Sequence, residues 1–230
     1  MLMVKDLTVA YPDGKVAVEG VGFTLRPGET AALIGANGAG KTTLFLAIVG
    51  VLPKKSGSVF AGGVLLRKNT LRALRAKVGL VFQNPDDQLF STSVYEDIAF
   101  GPRRFGYSAE ETDARVEEAL GQLGIGHLRD RSPLKLSDGE KRLCAIAAVL
   151  AHKPEILLFD EPTAFLDPRA RRSLTGVFAS LPQIKLIATH DLAFVEATCS
   201  RVLLLQEGKL VADRGMDLLG DTAALEAAGL

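Results

Sequence analysis

A glycine-rich segment near the start of the chain has the residue types and spacing needed to bind a triphosphate. It reads Gly35-Ala36-Asn37-Gly38-Ala39-Gly40-Lys41-Thr42, between the apolar run Thr30–Ile34 and a predicted helix from Lys41 to Leu52. Its backbone N–H groups and the helix dipole would attract phosphate, while Lys41 reaches the β- and γ-phosphates and Thr42 binds Mg²⁺. Because strand, glycines, Lys-Thr pair and helix follow in order, we favour this reading over a turn that only joins strand to helix. The predicted nucleotide contacts are Gly35, Asn37, Gly38, Gly40, Lys41, Thr42 and Thr43.

A second candidate site follows a buried strand much later in the chain. The run Ile156–Asp160 is continuously apolar until its last residue, and Glu161 follows at once. A carboxylate at the end of such a strand is placed to hold Mg²⁺ beside the phosphates, and the next one is placed as general base for the attacking water. We therefore predict Asp160 as a metal ligand and Glu161 as a catalytic residue, in preference to a simple acidic turn.

The elements that must position these residues alternate between strands and helices. Apolar or β-branched runs predict strands at Met3–Val9, Val16–Leu25, Thr30–Ile34, Val59–Ala61, Val78–Phe82, Ile156–Asp160, Lys185–Ala188, Arg201–Gln206 and Lys209–Ala212. The early runs alternate and are broken by turn residues, which indicates an antiparallel sheet, whereas the later continuous runs indicate buried parallel strands. Between residues 94 and 151 the pattern is helical, with capping boxes at Ser108–Glu111 and Ser137–Glu140.

Composition narrows the class of protein. The 27 basic and 27 acidic residues balance, so no overall basic field indicates binding to nucleic acid. The two cysteines are far apart in apolar stretches, as expected of free thiols in a reducing compartment. The sequence predicts no membrane-spanning run and no leader peptide, so we expect a cytosolic chain. If the chain functions at a membrane, we expect another protein to bind it there.

Six motifs in order make the chain resemble the nucleotide-binding subunit of ATP-binding cassette (ABC) transporters over essentially its whole length. The six are the glycine loop, Gln83, Leu136-Ser137-Asp138-Gly139-Glu140, Asp160-Glu161, Leu166-Asp167 and His190, and Tyr11 is a further matching residue. The resemblance implies an α/β fold: a P-loop NTPase with a RecA-like core, an antiparallel β subdomain and an inserted helical subdomain at about residues 88–152. The whole of residues 1–230 would be one ATP-binding domain.

The resemblance also implies a role for each matching residue. Tyr11 would stack on adenine, Gln83 would bind Mg²⁺ and act in catalysis, and His190 would contact the γ-phosphate. Ser137 and Gly139 would complete the ATP site of a second subunit, so that ATP joins two chains and its hydrolysis lets them separate. An ordinary helix cap at Ser137 is compatible with this role, because the cap presents the N–H groups. The expected cofactors are ATP and Mg²⁺.

Three positions depart from the family pattern. Asp138 replaces a glycine and Glu140 replaces a glutamine, while Phe165 replaces a smaller residue before Leu166. Asp138 would repel a triphosphate if it faced the nucleotide, but in the first helical turn it can instead point to solvent and favour the helix dipole. Glu140 closes the capping box as well as glutamine would, so we keep hydrolysis as the prediction.

Two neighbouring segments indicate which type of ABC transporter the chain resembles. Residues 82–90 and 94–102 strongly resemble the ATPase subunits of energy-coupling-factor importers of cobalt or nickel and of vitamins. We expect Leu89, Phe90 and Tyr95 to form an apolar groove for a helix of a membrane subunit, with Asp86, Asp87, Glu96 and Asp97 pairing with its basic residues; the alternative is that Leu89 and Phe90 belong to the core. All motifs occur in one chain, which favours a homodimer with two competent sites. The tail after the last strand is short, and both features favour import of cobalt or nickel over import of vitamins.

Three other classes of P-loop protein are alternatives to a transporter ATPase. An ABC ATPase acting on DNA or ribosomes would usually carry a coiled-coil insertion or a second cassette, and neither pattern is found. A P-loop kinase of small molecules would leave Ser137 and His190 unexplained. A non-hydrolysing regulatory subunit disagrees with Glu161 and His190, although Asp138 keeps it under consideration.

Overall fold

The computed structural model describes all 230 residues, which form two compact units. The first unit comprises Met1–Leu80, Glu155–Glu161 and Pro182–Leu230, and the second comprises Val81–Pro154 and Pro162–Leu181. The first carries the β-sheets and the predicted glycine loop. The second carries most of the helices.

The chain contains ten strands and eight α-helices. The strands are β1 (Leu2–Ala10), β2 (Val16–Leu25), β3 (Thr30–Ile34), β4 (Lys54–Ala61), β5 (Val64–Leu65), β6 (Val78–Val81), β7 (Ile156–Asp160), β8 (Ile184–Ala188), β9 (Arg201–Gln206) and β10 (Lys209–Arg214). The helices are α1 (Lys41–Ile48), α2 (Leu71–Lys77), α3 (Val94–Phe105), α4 (Ala109–Leu123), α5 (Asp138–Leu150), α6 (Pro168–Ser180), α7 (Leu192–Thr198) and α8 (Thr222–Ala227).

The strands form the two sheets that the sequence pattern predicts. The order β2-β1-β4-β5 makes an antiparallel sheet, and the order β10-β9-β3-β8-β7-β6 makes a mixed sheet. Within the mixed sheet, β3 pairs in parallel with β8 and β9, and β7 pairs in parallel with β8. This arrangement confirms the α/β fold with a parallel core and a separate antiparallel sheet.

Helix α1 and the antiparallel sheet share one hydrophobic core. Leu44, Phe45 and Ile48 of α1 are fully buried in it, together with Leu2 and Leu7 of β1. The helix ends four residues before the predicted Leu52, because Gly50 adopts a left-handed φ of 66°. Burial of these apolar side chains fixes where the glycine loop at the start of α1 can lie.

The second unit packs α3, α4 and α5 against one another, and α6 contacts α5. Both predicted capping boxes are confirmed: Ser108 with Glu111 begins α4, and Ser137 with Glu140 begins α5. In α3, the buried Asp97 accepts hydrogen bonds from the backbone N–H groups of Phe90 (3.0 Å) and Ser91 (2.9 Å). Asp97 is therefore not a surface charge, as the sequence suggested, but the group that fixes the loop before α3.

Both cysteines are free thiols in apolar surroundings. Cys144 of α5 is fully buried, and burial raises the pKa of its thiol to about 12. Cys199 follows α7, and burial raises the pKa of its thiol to about 11. No helix of the chain has the length and apolar character needed to cross a membrane.

His152 is the one histidine that the helical unit encloses. Its ring centroid lies 5.2 Å from that of Phe105, and its Nε2 atom is buried without a hydrogen-bond partner. Burial, with a smaller contribution from the charge of Arg115, lowers the pKa of His152 from 6.5 to about 4. The folded chain therefore keeps this imidazole neutral at pH values where an unfolded chain would protonate it.

We predict that His152 makes the fold sensitive to acid. Between about pH 6.5 and pH 4 the unfolded chain binds a proton that the folded chain does not, so the free energy of unfolding falls as the pH falls, by at most about 3 kcal/mol from this residue. Urea unfolding at several pH values should show a flatter pH dependence for His152→Gln than for the wild-type chain. His127→Gln, which changes an exposed histidine, should keep the wild-type slope. Equal slopes for wild type and His152→Gln would refute the prediction.

Candidate nucleotide site

The parallel strands bring the predicted phosphate-binding and catalytic groups of the first unit to one edge of its sheet. Leu33 of β3 lies opposite Ala188 of β8, which lies opposite Asp160 of β7. The residues that follow these three positions therefore leave the sheet at the same level. They include the glycine loop, Glu161 and His190.

The glycine loop passes close to neighbouring backbone. Gly35 has a φ of 155°, and a Cβ atom there would lie 2.2 Å from the carbonyl oxygen of Leu205 in β9. Gly38 has a φ of 82°, but a Cβ atom there would meet nothing within 4 Å. Gly35 is therefore required by the close approach to β9, whereas Gly38 is required only by its backbone conformation.

Lys41 is buried in the loop that it follows. Its Nζ donates hydrogen bonds to the carbonyl oxygens of Gly35 (2.6 Å) and Ala36 (3.2 Å), and the residue is 7% exposed. Burial lowers the pKa of Lys41, and the nearby carboxylates of Glu161 and Asp160 act in the opposite direction. The side chain thus places a cation inside the loop, where phosphate oxygens compete with the two carbonyls for its protons.

Thr42 and Asp160 form the candidate Mg²⁺ position. The Thr42 hydroxyl donates a hydrogen bond of 2.7 Å to Oδ2 of Asp160. A hydroxyl and a carboxylate are hard oxygen ligands of the kind that Mg²⁺ prefers, and Mg²⁺ usually takes only one or two protein ligands beside phosphate and water. The residues present therefore fit the ion that the sequence predicts.

Glu161 is a buried carboxylate held from two sides. It is 6% exposed and has a left-handed φ of 44°. The hydroxyl of Thr189 donates to its Oε2 at 3.0 Å, and Nδ1 of His190 lies 3.0 Å from its Oε1. Fixed by both neighbours, the carboxylate can accept a proton from a water molecule without rearranging.

Thr189 is a residue that the sequence reasoning missed. It is fully buried, and its Oγ1 also accepts a hydrogen bond from the N–H of Asp191 at 3.1 Å. The available signal was a polar residue directly after the apolar strand β8 and before His190. The His190 side chain is 63% exposed, so it can reach a ligand while it contacts Glu161.

Tyr11 contacts the same region from the antiparallel sheet. Its hydroxyl is 2.7 Å from the Oγ1 of Thr43, the residue after the Lys-Thr pair, and its ring is partly exposed. Asn37 and Gly38 are exposed in the loop. Within the first unit, the structure thus brings together the predicted residues Tyr11, Gly35, Asn37, Gly38, Gly40, Lys41, Thr42, Thr43, Asp160, Glu161 and His190.

The remaining predicted residues, Gln83, Ser137 and Gly139, belong to the second unit. Gln83 is exposed in the loop after β6. Ser137 begins α5, and its backbone N–H and its hydroxyl both donate to Oε2 of Glu140 at 2.8 Å. These bonds lower the pKa of Glu140, so the cap carries a carboxylate beside the helix N-terminus. Asp138 is exposed, as its place in the first turn predicts.

The predicted apolar groove is partly wrong. Leu89 is buried at 6% exposure, and the Tyr95 ring is covered by the guanidinium group of Arg129 at 4.3 Å. Asp97 is buried in its bonds to the loop, as described above. The exposed apolar surface consists instead of Phe90 and Phe100, whose rings meet edge to face at 5.3 Å. The sequence pattern could not separate these roles, because apolar residues of the core and of the surface alternate within a few positions.

Known proteins of similar sequence belong to the family that the sequence motifs indicated. The family described as ABC transporter matches residues 18–164. A putative ABC transporter ATP-binding protein from Geobacter sulfurreducens is 46% identical over 91% of the chain and 84% of its own length. The energy-coupling factor transporter ATP-binding protein EcfA from Methanothermobacter thermautotrophicus is 43% identical over 93% of the chain and 70% of its own length.

A solved structure has a similar fold. The cbiO1 protein from Clostridium perfringens, described as part of the ABC transporter complex cbiONQ, is 35% identical with a TM-score of 0.86. The match covers 97% of this chain and 91% of that one. The fold is therefore that of ABC-type P-loop ATPases.

We predict that two glycines of the loop respond differently to an added methyl group. Gly35→Ala forces the loop away from Leu205, so it should lower the melting temperature strongly and abolish stabilisation by ATP. Gly38→Ala costs only the left-handed backbone strain, about 1–2 kcal/mol, which corresponds to a few degrees in a chain of this size. Thermal melting with and without ATP and Mg²⁺ measures both effects. Equal loss in the two variants would contradict the packing argument.

Proposed function

The chain belongs to the ABC transporter family, and from that membership we propose that it powers a membrane importer of cobalt or nickel ions. As a member of this family it is an ATPase subunit of a transporter. The finer assignment is supported by residues 82–90 and 94–102, which resemble energy-coupling-factor importers, and by the likeness to EcfA and cbiO1. We also propose that residues 1–230 act as a single ATP-binding domain.

The observation that carries the mechanism is the group of Lys41, Thr42, Asp160 and Glu161 at one sheet edge. Lys41 and the N–H groups of the glycine loop bind the phosphates of ATP, and the Tyr11 ring stacks on adenine. Thr42 and Asp160 would hold Mg²⁺, and the family resemblance implies that Gln83 would bind the same ion. Bound there, Mg²⁺ would supply positive charge that offsets the charge on the transferred phosphoryl group.

Hydrolysis then depends on the carboxylate of Glu161. It orients a water molecule and accepts its proton as the oxygen attacks the γ-phosphorus, while Thr189 and His190 hold the carboxylate in place. The exposed face of His190 contacts the γ-phosphate. Attack breaks the bond between the γ-phosphorus and the bridging oxygen, which releases ADP and phosphate.

A second copy of the chain completes the cycle in this proposal. Ser137 and Gly139 at the start of α5 would bind the ATP of the second copy, because a helix N-terminus attracts anions. For this contact the Ser137 hydroxyl, which donates to Glu140 in the structure, would turn to a phosphate oxygen. Loss of the γ-phosphate removes that contact and lets the copies separate. Since every motif is present in one chain, a homodimer with two competent sites is the assembly that we propose. It lies at the cytoplasmic face of the membrane as a peripheral subunit.

The importer assignment is tested by changing Glu161. We predict that Glu161→Gln, which keeps the size of the side chain but removes the general base, lowers kcat for ATP by about 10²–10⁴-fold while ATP still binds. Cells that carry only this variant should lose cobalt or nickel selectively, as measured by elemental mass spectrometry. Glu196→Gln, an exposed residue of α7, serves as the matched control.

Each result of that experiment has a distinct meaning. A selective fall of one metal identifies the importer and its ion together. Unchanged levels of both metals, in cells without another importer of either, would refute metal import and favour a vitamin importer of the same type. An unchanged kcat in the purified variant would refute the role of Glu161 itself.

The membrane partner is proposed to dock on the second unit near residues 83–100, at the exposed pair Phe90 and Phe100. Their side chains are 65% and 54% exposed, and exposed aromatic pairs of this kind suit an apolar helix of a partner. Asp87 beside them is exposed, and Glu96 pairs with Arg103 on the same surface. A coupling helix with apolar and basic residues fits this surface.

We predict that Phe90→Ser with Phe100→Ser detaches the chain from its membrane partner. The double variant should keep its melting temperature, because both rings are exposed, but the fraction of the chain that sediments with membranes should fall several-fold. Leu134→Ser, which removes an 87% exposed apolar residue outside the pair, is the control and should not change sedimentation. If the double variant sediments like the wild-type chain, the docking site lies elsewhere.

A further inference from the structure

Arg142 of α5 is a buried cation whose bonds the proposed mechanism does not use. It is 1% exposed and is among the largest fully buried side chains. Its Nη1 donates to the carbonyl oxygen of Phe82 at 2.7 Å, and its Nη2 donates to the carbonyl oxygen of Gln83 at 2.6 Å. A guanidinium is rarely buried without a specific role, because it loses its hydration there.

The two carbonyls that Arg142 binds lie on either side of the Cα of Gln83. One fork-shaped group therefore fixes the backbone at both ends of this residue, which a single hydrogen bond does not do. The Gln83 side chain itself is left exposed. The contact thus sets the direction in which the Gln83 side chain leaves the loop, without using its amide group.

Two further bonds fasten the same loop to α5. The side chain of Gln88 donates to the carbonyl oxygen of Ala145 at 2.6 Å, and Lys141 donates to Asp86 at 2.7 Å. Because Lys141 and Asp86 form a partly exposed pair, that bond contributes little, whereas the bonds of Arg142 are shielded from water. Of the two attachments made by charged side chains, that of Arg142 is the stronger.

We propose that Arg142 is a positioning residue, which joins the Gln83 loop to α5 so that Gln83 and the helix start at Ser137 move as one body. This inference rests on the proposed roles of Gln83 and Ser137 in ATP hydrolysis. Because it is buried and bonded to the carbonyls of Phe82 and Gln83, Arg142 acts through the backbone of Gln83. Removal of its fork should therefore slow the reaction step more than it weakens ATP binding.

The test compares Arg142→Met, Arg142→Lys and Gln83→Ala in the purified full chain with ATP and Mg²⁺. We expect Arg142→Met to lower kcat about tenfold with KM changed less than about twofold, since misplaced groups that act only in the reaction step change kcat rather than binding. Arg142→Lys keeps the charge but not the fork, so it should recover only part of the rate. If Arg142→Met does not fold, Arg142→Lys replaces it as the test variant.

A double variant separates positioning from general destabilisation. If Arg142 acts through Gln83, Arg142→Met in the Gln83→Ala background should lower kcat little further, because both changes remove the same function. Arg115→Met is the control, since Arg115 also donates to a backbone carbonyl of this unit, that of Ala151 at 3.3 Å, but does not bind the loop. It should leave kcat unchanged.

Hydrogen exchange of the peptide covering residues 82–88 gives a readout independent of activity. It should become faster in both Arg142 variants and stay unchanged in Arg115→Met. Additive effects of Arg142→Met and Gln83→Ala on kcat, or faster exchange with unchanged kcat, would overturn the positioning role. A Gln83→Ala variant of normal kcat, beside an inactive Glu161→Gln, would overturn this inference and the role of Gln83 but leave the role of Glu161 as general base intact.

Discussion

The parallel register of β3, β8 and β7 is the constraint on which the site of the first unit depends. The backbone bonds continue past the strand ends: the N–H of Glu161 donates to Ala188 at 2.8 Å, and that of Thr189 donates to Leu33 at 3.2 Å. A shift of one residue in either pairing would turn every following side chain to the opposite face of the sheet. Every residue of the three strands is buried, so such a shift would exchange closely packed side chains between the two faces of the sheet, and the packing of the core opposes it.

The same edge concentrates groups that are costly to bury. Lys41, Asp160 and Glu161 are each less than a tenth exposed, and Glu161 also has a left-handed backbone conformation. Each buried charge would be unfavourable alone, but here the Lys41 cation lies close enough to both carboxylates to offset part of the cost of burying them. Unfavourable local features of this kind usually occur at functional sites, where the surrounding fold compensates for them. The site is therefore a part of the fold that tolerates little change.

The sequence predicted those elements whose ends are marked by a local residue pattern. The bounds of β2, β3, β7 and β9 agree with the prediction, as do both capping boxes, because turn residues or caps mark their ends. Helix α2 and the two-residue β5 were not predicted, since the first lacks a capping side chain and the second depends on its pairing with β4. The bonds of Thr189 to Glu161 and of Arg142 to Phe82 join residues far apart in the chain. The burial of Leu89 and Asp97 depends on the packing around them, and spacing alone reveals neither feature.

The raised pKa values of the two cysteines have a consequence for the chemical reactivity of the chain. At pH 7.5, a thiol with a pKa of about 11 is ionised in fewer than about one molecule in a thousand, and one with a pKa of about 12 in fewer still. Since thiolates are the species that react with alkylating reagents and peroxides, Cys144 and Cys199 are slow to react in the folded chain. An exposed cysteine introduced elsewhere would therefore be labelled selectively by a thiol-directed dye, with both native cysteines left in place.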